Sequence, residues 1–191
     1  LPNLNFKQKK VYEDLIEFLF QRIESHLEEI AIDKELISAI CSSDEFCKKR
    51  ILNIIDLKNR IEAISVYKEK GSFNKIQKII TRVSKLADSG NLKKDVLSKE
   101  EYISKELFEK QCEFKVFEFL EALEELFTKD DLNYLKLLNM FEINAKNLEE
   151  LFDNEKGVLV MSEDSKIREN RLNLLGVIRN YSLKIVDFTL L

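Results

Sequence analysis

A chain of 191 residues, 45% hydrophobic and 35% charged, has enough apolar material for a sizeable core beneath a densely solvated surface. Its 31 Lys and Arg are outweighed by 35 Asp and Glu, giving a formal net charge of −4, so any RNA binding has to come from a local basic face. Four Gly, one Pro and no Trp argue against a sheet-rich fold full of tight turns and for long helices packed through thirteen Phe and five Tyr.

Helical periodicity dominates from the start. Val11, Leu15, Ile16, Phe18, Leu19, Ile23 and Leu27 form one broad apolar stripe over residues 8–30, and residues 32–40 read as a short second helix. Ser42-Ser43-Asp44-Glu45 has the spacing of a capping box, after which Phe46 opens a third helix reaching about Lys70. Gly71-Ser72 breaks it, with Ser72 placed to cap a helix that runs to about Ala87. Asp88-Ser89-Gly90-Asn91 is the clearest loop.

Leu97-Ser98-Lys99-Glu100-Glu101-Tyr102 again reads as a capping box, with a staple between Leu97 and Tyr102 and a helix to about Phe127, broken near Lys110-Gln111. Residues 128–131 start another helix, carrying Leu132, Tyr134, Leu135, Leu137 and Leu138, and residues 144–152 a further short one. Val158-Leu159-Val160-Met161 looks strand-like. A long final helix over residues 162–188 presents Ile167, Leu174, Ile178, Tyr181, Ile185 and Phe188 at helical spacing. The expectation is an all-α bundle of about seven to eight helices in a single domain, 1–191, with the 88–98 loop separating candidate halves 1–88 and 98–191.

Chemistry-bearing motifs are scarce. There is no GxxxxGK[ST], GxGxxG or HExxH. His26 is the only histidine and reads as a solvated or partly packed side chain; Glu28-Glu29, Glu124-Glu125 and Glu149-Glu150 read as solvated helix faces. Cys41, Cys47 and Cys112 are odd in number and lack CxxC spacing, which fits buried, reduced thiols in a cytosol-like compartment. No apolar run approaches the ~18 residues of a membrane span, and no signal peptide is visible. The start Leu1-Pro2-Asn3, without Met, suggests a fragment or a processed segment.

Two cationic patterns stand out. Lys75, Lys78, Arg82 and Lys85, at steps of 3, 4 and 3, share one helix face opposite Phe73, Ile76, Ile80 and Val83, and no acid interrupts them before Asp88. They read either as a track for RNA phosphates or as a face that is solvated or paired with Glu from a neighbouring helix. Arg168, Arg171 and Arg179 share a face of the last helix, where Arg suits phosphate or an unstacked base. Arg171 could equally hold Asp187 or a Glu of another helix.

The tail, with Val160-Met161-Ser162-Glu163-Asp164, Ile167-Arg168-Glu169-Asn170-Arg171-Leu172 and Val186-Asp187-Phe188-Thr189, resembles the carboxy terminus of the bacterial-type glycyl-tRNA synthetase β subunit. That family ends roughly FFD-x-VMVMAED-x-x-x-R-x-NRL-x-LL and then ADFS. Phe18-Leu19-Phe20-Gln21-Arg22, Leu57-Lys58-Asn59-Arg60-Ile61-Glu62-Ala63 and Thr81-Arg82-Val83-Ser84 resemble further family helices. Lys85 stands where the family usually has Asn, and Glu155-Lys156-Gly157 lengthens a turn in the manner of cyanobacterial or plastid members.

The resemblance implies a DALR-type anticodon-binding domain, similar to that of arginyl-tRNA synthetase, in an enzyme that joins glycine to its tRNA. The partners implied are glycine tRNA, the α subunit and the rest of the β subunit, with no DNA and no membrane. The catalytic site would lie in the α subunit. ATP and magnesium would belong to the parent enzyme and be bound elsewhere, with no cofactor in this segment. The expected location is cytoplasmic, or plastid in a photosynthetic eukaryote. Lys75, Lys78, Arg82 and Lys85 are the candidates for phosphate contacts, Arg168, Asn170 and Arg171 for base or loop contacts, with Arg60 added to them; Asp187 and Phe188 read as an end-of-chain anchor. The competing reading is a non-catalytic helical module that mediates subunit assembly, which would pair its cations with acids and leave an apolar patch uncovered.

Overall fold

The computed structural model describes residues 6–41, 53–128 and 133–191, with the side chains of Phe6 and Lys7 left aside. Seven α-helices and no strand occur among them: α1 Phe6–Glu29, α2 Lys34–Cys41, α3 Ile54–Glu69, α4 Phe73–Ala87, α5 Gln111–Phe127, α6 Tyr134–Leu151 and α7 Ser165–Leu183. Short 3-10 turns cover Lys105–Leu107 and Phe188–Leu190. The all-α expectation holds. The residues group into two compact units, one formed by 1–59 with 190–191 and the other by 60–189.

In the first unit α1 packs on α2. The turn between them closes α1 with Ile32 N–H donating to Leu27 O and Ala31 N–H to Glu28 O, and Ala31 takes the left-handed conformation (φ 61°) that such a cap requires. Asp33 then caps α2 by accepting from Glu35 N–H at 2.9 Å. Leu36, Ile37, Ala39, Ile40 and Cys41 bury one side of α2. The apolar stripe expected on α1 is buried only in part. Leu27 is buried, as is Phe20 beside the stripe, while Val11, Leu15 and Phe18 are more than half exposed.

The second unit is built around α7. Nearly every residue from Asn170 to Ser182 is buried, and this helix packs against α4, α5 and the 3-10 turn at Lys105–Leu107. Phe73, Ile76, Ile80 and Val83 bury the apolar face of α4, as their spacing predicts. Gly71 (φ 74°) ends α3 ahead of it. Ser72 precedes α4, but its hydroxyl makes no capping bond. Phe188 is buried against Phe73, ring centroids 6.0 Å apart, and its carbonyl accepts from Thr81 Oγ1 at 3.0 Å, which anchors the end of the chain.

Four local expectations are corrected. Residues 98–104 form turns rather than a helix, and α5 starts only at Gln111; Lys99 is buried with its ammonium on Glu124, and Asn170 takes up the backbone of Ser104 through two hydrogen bonds. Val158–Met161 is not a strand: it turns back from α6, with Val158 N–H on Leu151 O at 2.9 Å. The short helix expected at 144–152 is the second half of the continuous α6. The last helix begins later than expected, at Ser165, where Asp164 accepts from Lys166 and Ile167 N–H, and ends at Leu183. The capping box at 42–45 and the helix start at Phe46 lie outside the described residues, as do Cys47 and residues 129–132.

Candidate nucleic-acid interface

The outer face of α4 carries the four cations because its inner face is consumed by the core. Lys75, Lys78, Arg82 and Lys85 are all exposed. Lys75 Nζ lies 3.4 Å from Glu149 of α6, a solvated pair worth little. Lys78 and Lys85 have no ion-pair partner among the described residues. The Arg82 guanidinium lies over the Phe152 ring, 4.4 Å from its centroid.

The other candidates are drawn inward. Arg60 is 1% exposed on α3. Arg171, 4% exposed, donates from Nε to Glu113 Oε1 at 2.9 Å, from Nη2 to Glu109 Oε2 at 2.6 Å and from Nη1 to Leu159 O at 3.1 Å. Burial works against its charge, but the two carboxylates more than offset that and raise its pKa above the ordinary value. Asn170 holds both polar backbone groups of Ser104. Arg168 is half-buried and donates to Ser162 O at 2.9 Å. Arg179, with Asn180, ties the 88–96 loop through Asp88, Leu92, Lys93 and Val96. Of the eight candidates, only the four on α4 form a common solvent-facing surface.

The buried cations nevertheless shape what lies beside α4. A groove of about 510 Å³ opens between Arg82 and Leu86 of α4 and the 152–161 segment. Its far wall is held from beneath by Arg171 on Leu159 O, by Arg168 on Ser162 O, and by Lys110, whose ammonium binds the carbonyls of Glu155 and Gly157. Gly157 is required there: a Cβ would sit 2.5 Å from the carbonyl oxygens of both Leu151 and Asp153. Asp153 Oδ1 accepts from Glu155 and Lys156 N–H at 2.9 Å each, and these bonds hold its carboxyl below its usual pKa. Sequence reasoning found Arg82 but missed Lys110 and Phe152, because neither belongs to a pattern on its own helix.

Elsewhere the surface offers little chemistry. Among the described residues no three His, Cys, Asp or Glu cluster to hold a metal ion, and no helix is long and apolar enough to cross a membrane. His26 is exposed, 3.6 Å from Glu29. Cys41 and Cys112 are buried and outside any disulfide, and burial raises the pKa of Cys112.

No family model matches the chain. Individual relatives do. It is 35% identical over 182 residues to the glycine–tRNA ligase beta subunit of Picosynechococcus sp., covering 92% of this chain and 25% of that protein. The corresponding subunit of Trichodesmium erythraeum is 33% identical over 182 residues, 91% of this chain and 25% of the relative. The chain is homologous to a segment of the glycine–tRNA ligase beta subunit. The likeness extends to Thermodesulfovibrio yellowstonii, 31% identical over 189 residues, 96% of this chain and 25% of its beta subunit. The chain thus spans about a quarter of the length of these relatives, consistent with their carboxy-terminal segment. The relatives are components of an aminoacyl-tRNA synthetase, a ligase.

Proposed function

We propose that this chain binds tRNA for a glycine–tRNA ligase, engaging the anticodon arm and holding the acceptor end toward a catalytic site on the α subunit. ATP and magnesium would be bound elsewhere in that enzyme, and the setting would be the cytoplasm or a plastid. The observation that carries the reading is the exposed row Lys78, Arg82 and Lys85, none of whose members has a protein counter-charge among the described residues. Aligned like charges on one helix face repel, and a phosphate backbone laid over them relieves this while releasing counterions. Asn170 and Arg171 take a supporting role in this account, fixing loops beneath the surface instead of touching RNA, and Arg60 is buried within α3's packing face. The test is binding of glycine tRNA beside the same tRNA with its anticodon exchanged. Weaker binding of the exchanged form supports anticodon reading; equal binding overturns it.

A second reading, an assembly module for the α subunit or the rest of the β subunit, draws on two observations. Lys75 is paired with Glu149, and Val11, Leu15 and Phe18 leave apolar surface on α1 exposed. A folded chain that binds no tRNA at low salt would favour it.

A further inference from the structure

The groove beside α4 combines features that a phosphate track alone does not need. Phe152 supports one face of the Arg82 guanidinium. The side chain of Arg82 is exposed and has no ion pair among the described residues. Leu159 and Met161, 69% and 48% exposed, add apolar surface to the opposite wall. The backbone N–H groups of Leu159, Val160 and Met161 donate to no protein acceptor among the described residues, and Asn154 adds a side-chain amide. Asp153 is the one acid lining the groove, and one of its oxygens is engaged by two backbone N–H groups.

We propose that this groove receives one unpaired base of an RNA strand, stacked on the Arg82 guanidinium that lies over Phe152, while the strand's phosphates pass over Lys78 and Lys85. The inference rests on the tRNA-binding reading and assigns one of its contacts. At 1.5 Å per residue, Arg82 lies about 6 Å along α4 from Lys78 and about 4.5 Å from Lys85, so one short stretch of strand spans all three. Unpaired bases are recognised by stacking on aromatic rings and guanidinium planes, with hydrogen bonds to their open edges. The unpaired N–H groups of the wall supply such donors. A lysine in place of Arg82 would keep the charge and lose the plane.

The experiment uses the full chain and a stem-loop RNA in which each loop base in turn is replaced by an abasic ribose. Stacking of one base is worth about 1–3 kcal/mol, so the wild-type chain should lose roughly tenfold in affinity at one loop position. In Arg82→Lys that penalty should vanish while the salt dependence stays; Phe152→Leu should reduce it. Circular dichroism confirms that each variant is folded. If the wild-type chain binds with steep salt dependence but no abasic position matters, or if Arg82→Lys retains the full penalty, the base-stacking role is overturned while the phosphate track stands. No binding of the wild-type chain at low salt overturns both.

Discussion

Arg171 and Glu113 form a buried pair, Nε to Oε1 at 2.9 Å, with side chains 5% and 0% exposed. The other oxygen of Glu113 accepts from the N–H groups of Glu109 and Lys110 at 2.8 and 3.0 Å, so the same carboxylate caps α5. One side chain joins the start of α5 to the middle of α7.

Removing Arg171 strands the buried Glu113 carboxylate, whereas removing Glu113 leaves Arg171 with Glu109 alone. Arg171→Ala is expected to cost about 3–5 kcal/mol in urea unfolding, because Glu113 remains buried without its counter-charge; Glu113→Ala should cost less, because Arg171 keeps the Glu109 carboxylate. The double variant should cost clearly less than the sum of the two. Additive losses would mean that the pair is not coupled.

Gly157→Ala forces a Cβ to within 2.5 Å of two carbonyl oxygens, both backbone and unable to swing away. The turn must open, at a cost of roughly 1–3 kcal/mol. The same shift moves the groove wall, so RNA affinity should fall with stability. Gly71→Ala is a contrasting control: its Cβ meets nothing within 4 Å, so its cost would come from φ alone.

Two tyrosines set the alkaline limit. Burial, with the Glu142 carboxylate nearby, pushes Tyr67 up to about 12; burial, with Glu124, pushes Tyr181 up to about 12. Unfolded phenols ionise near ~10. A pKa raised in the folded state means that the folded chain holds the proton longer. This stabilisation is therefore whole below about pH 10 and lost as pH rises through about 12. Urea midpoints should fall across that window, and Tyr181→Phe should reduce the fall while changing little at neutral pH. A flat profile would contradict the burial of these phenols.

The sequence carries most of the helices because each presents one apolar face at helical spacing, as Phe73, Ile76, Ile80 and Val83 do. It misleads where a tertiary partner takes over a local signal. Ser98-Lys99-Glu100-Glu101 has the letters of a helix start, yet Lys99 goes to Glu124 and Asn170 claims the Ser104 backbone. Val158–Met161 has strand-like residues but no partner strand among the described residues, and Arg171 takes one of its carbonyls. The arginines of the last helix show the same limit at the site. A guanidinium suits a phosphate and a buried carboxylate equally well, so residue type alone cannot tell an RNA contact from a fold contact. The four cations on α4 were legible because their helix has a core face that turns them outward.

The most direct test is a salt series of glycine tRNA binding to the chain and to its Lys78→Ala/Lys85→Ala variant. The account expects wild-type affinity to fall steeply with salt. The variant should bind more weakly, with a log–log salt slope shallower by about 2, close to one per lost phosphate contact. A folded wild-type chain that binds no tRNA at low salt, or a variant with an unchanged slope, would contradict it.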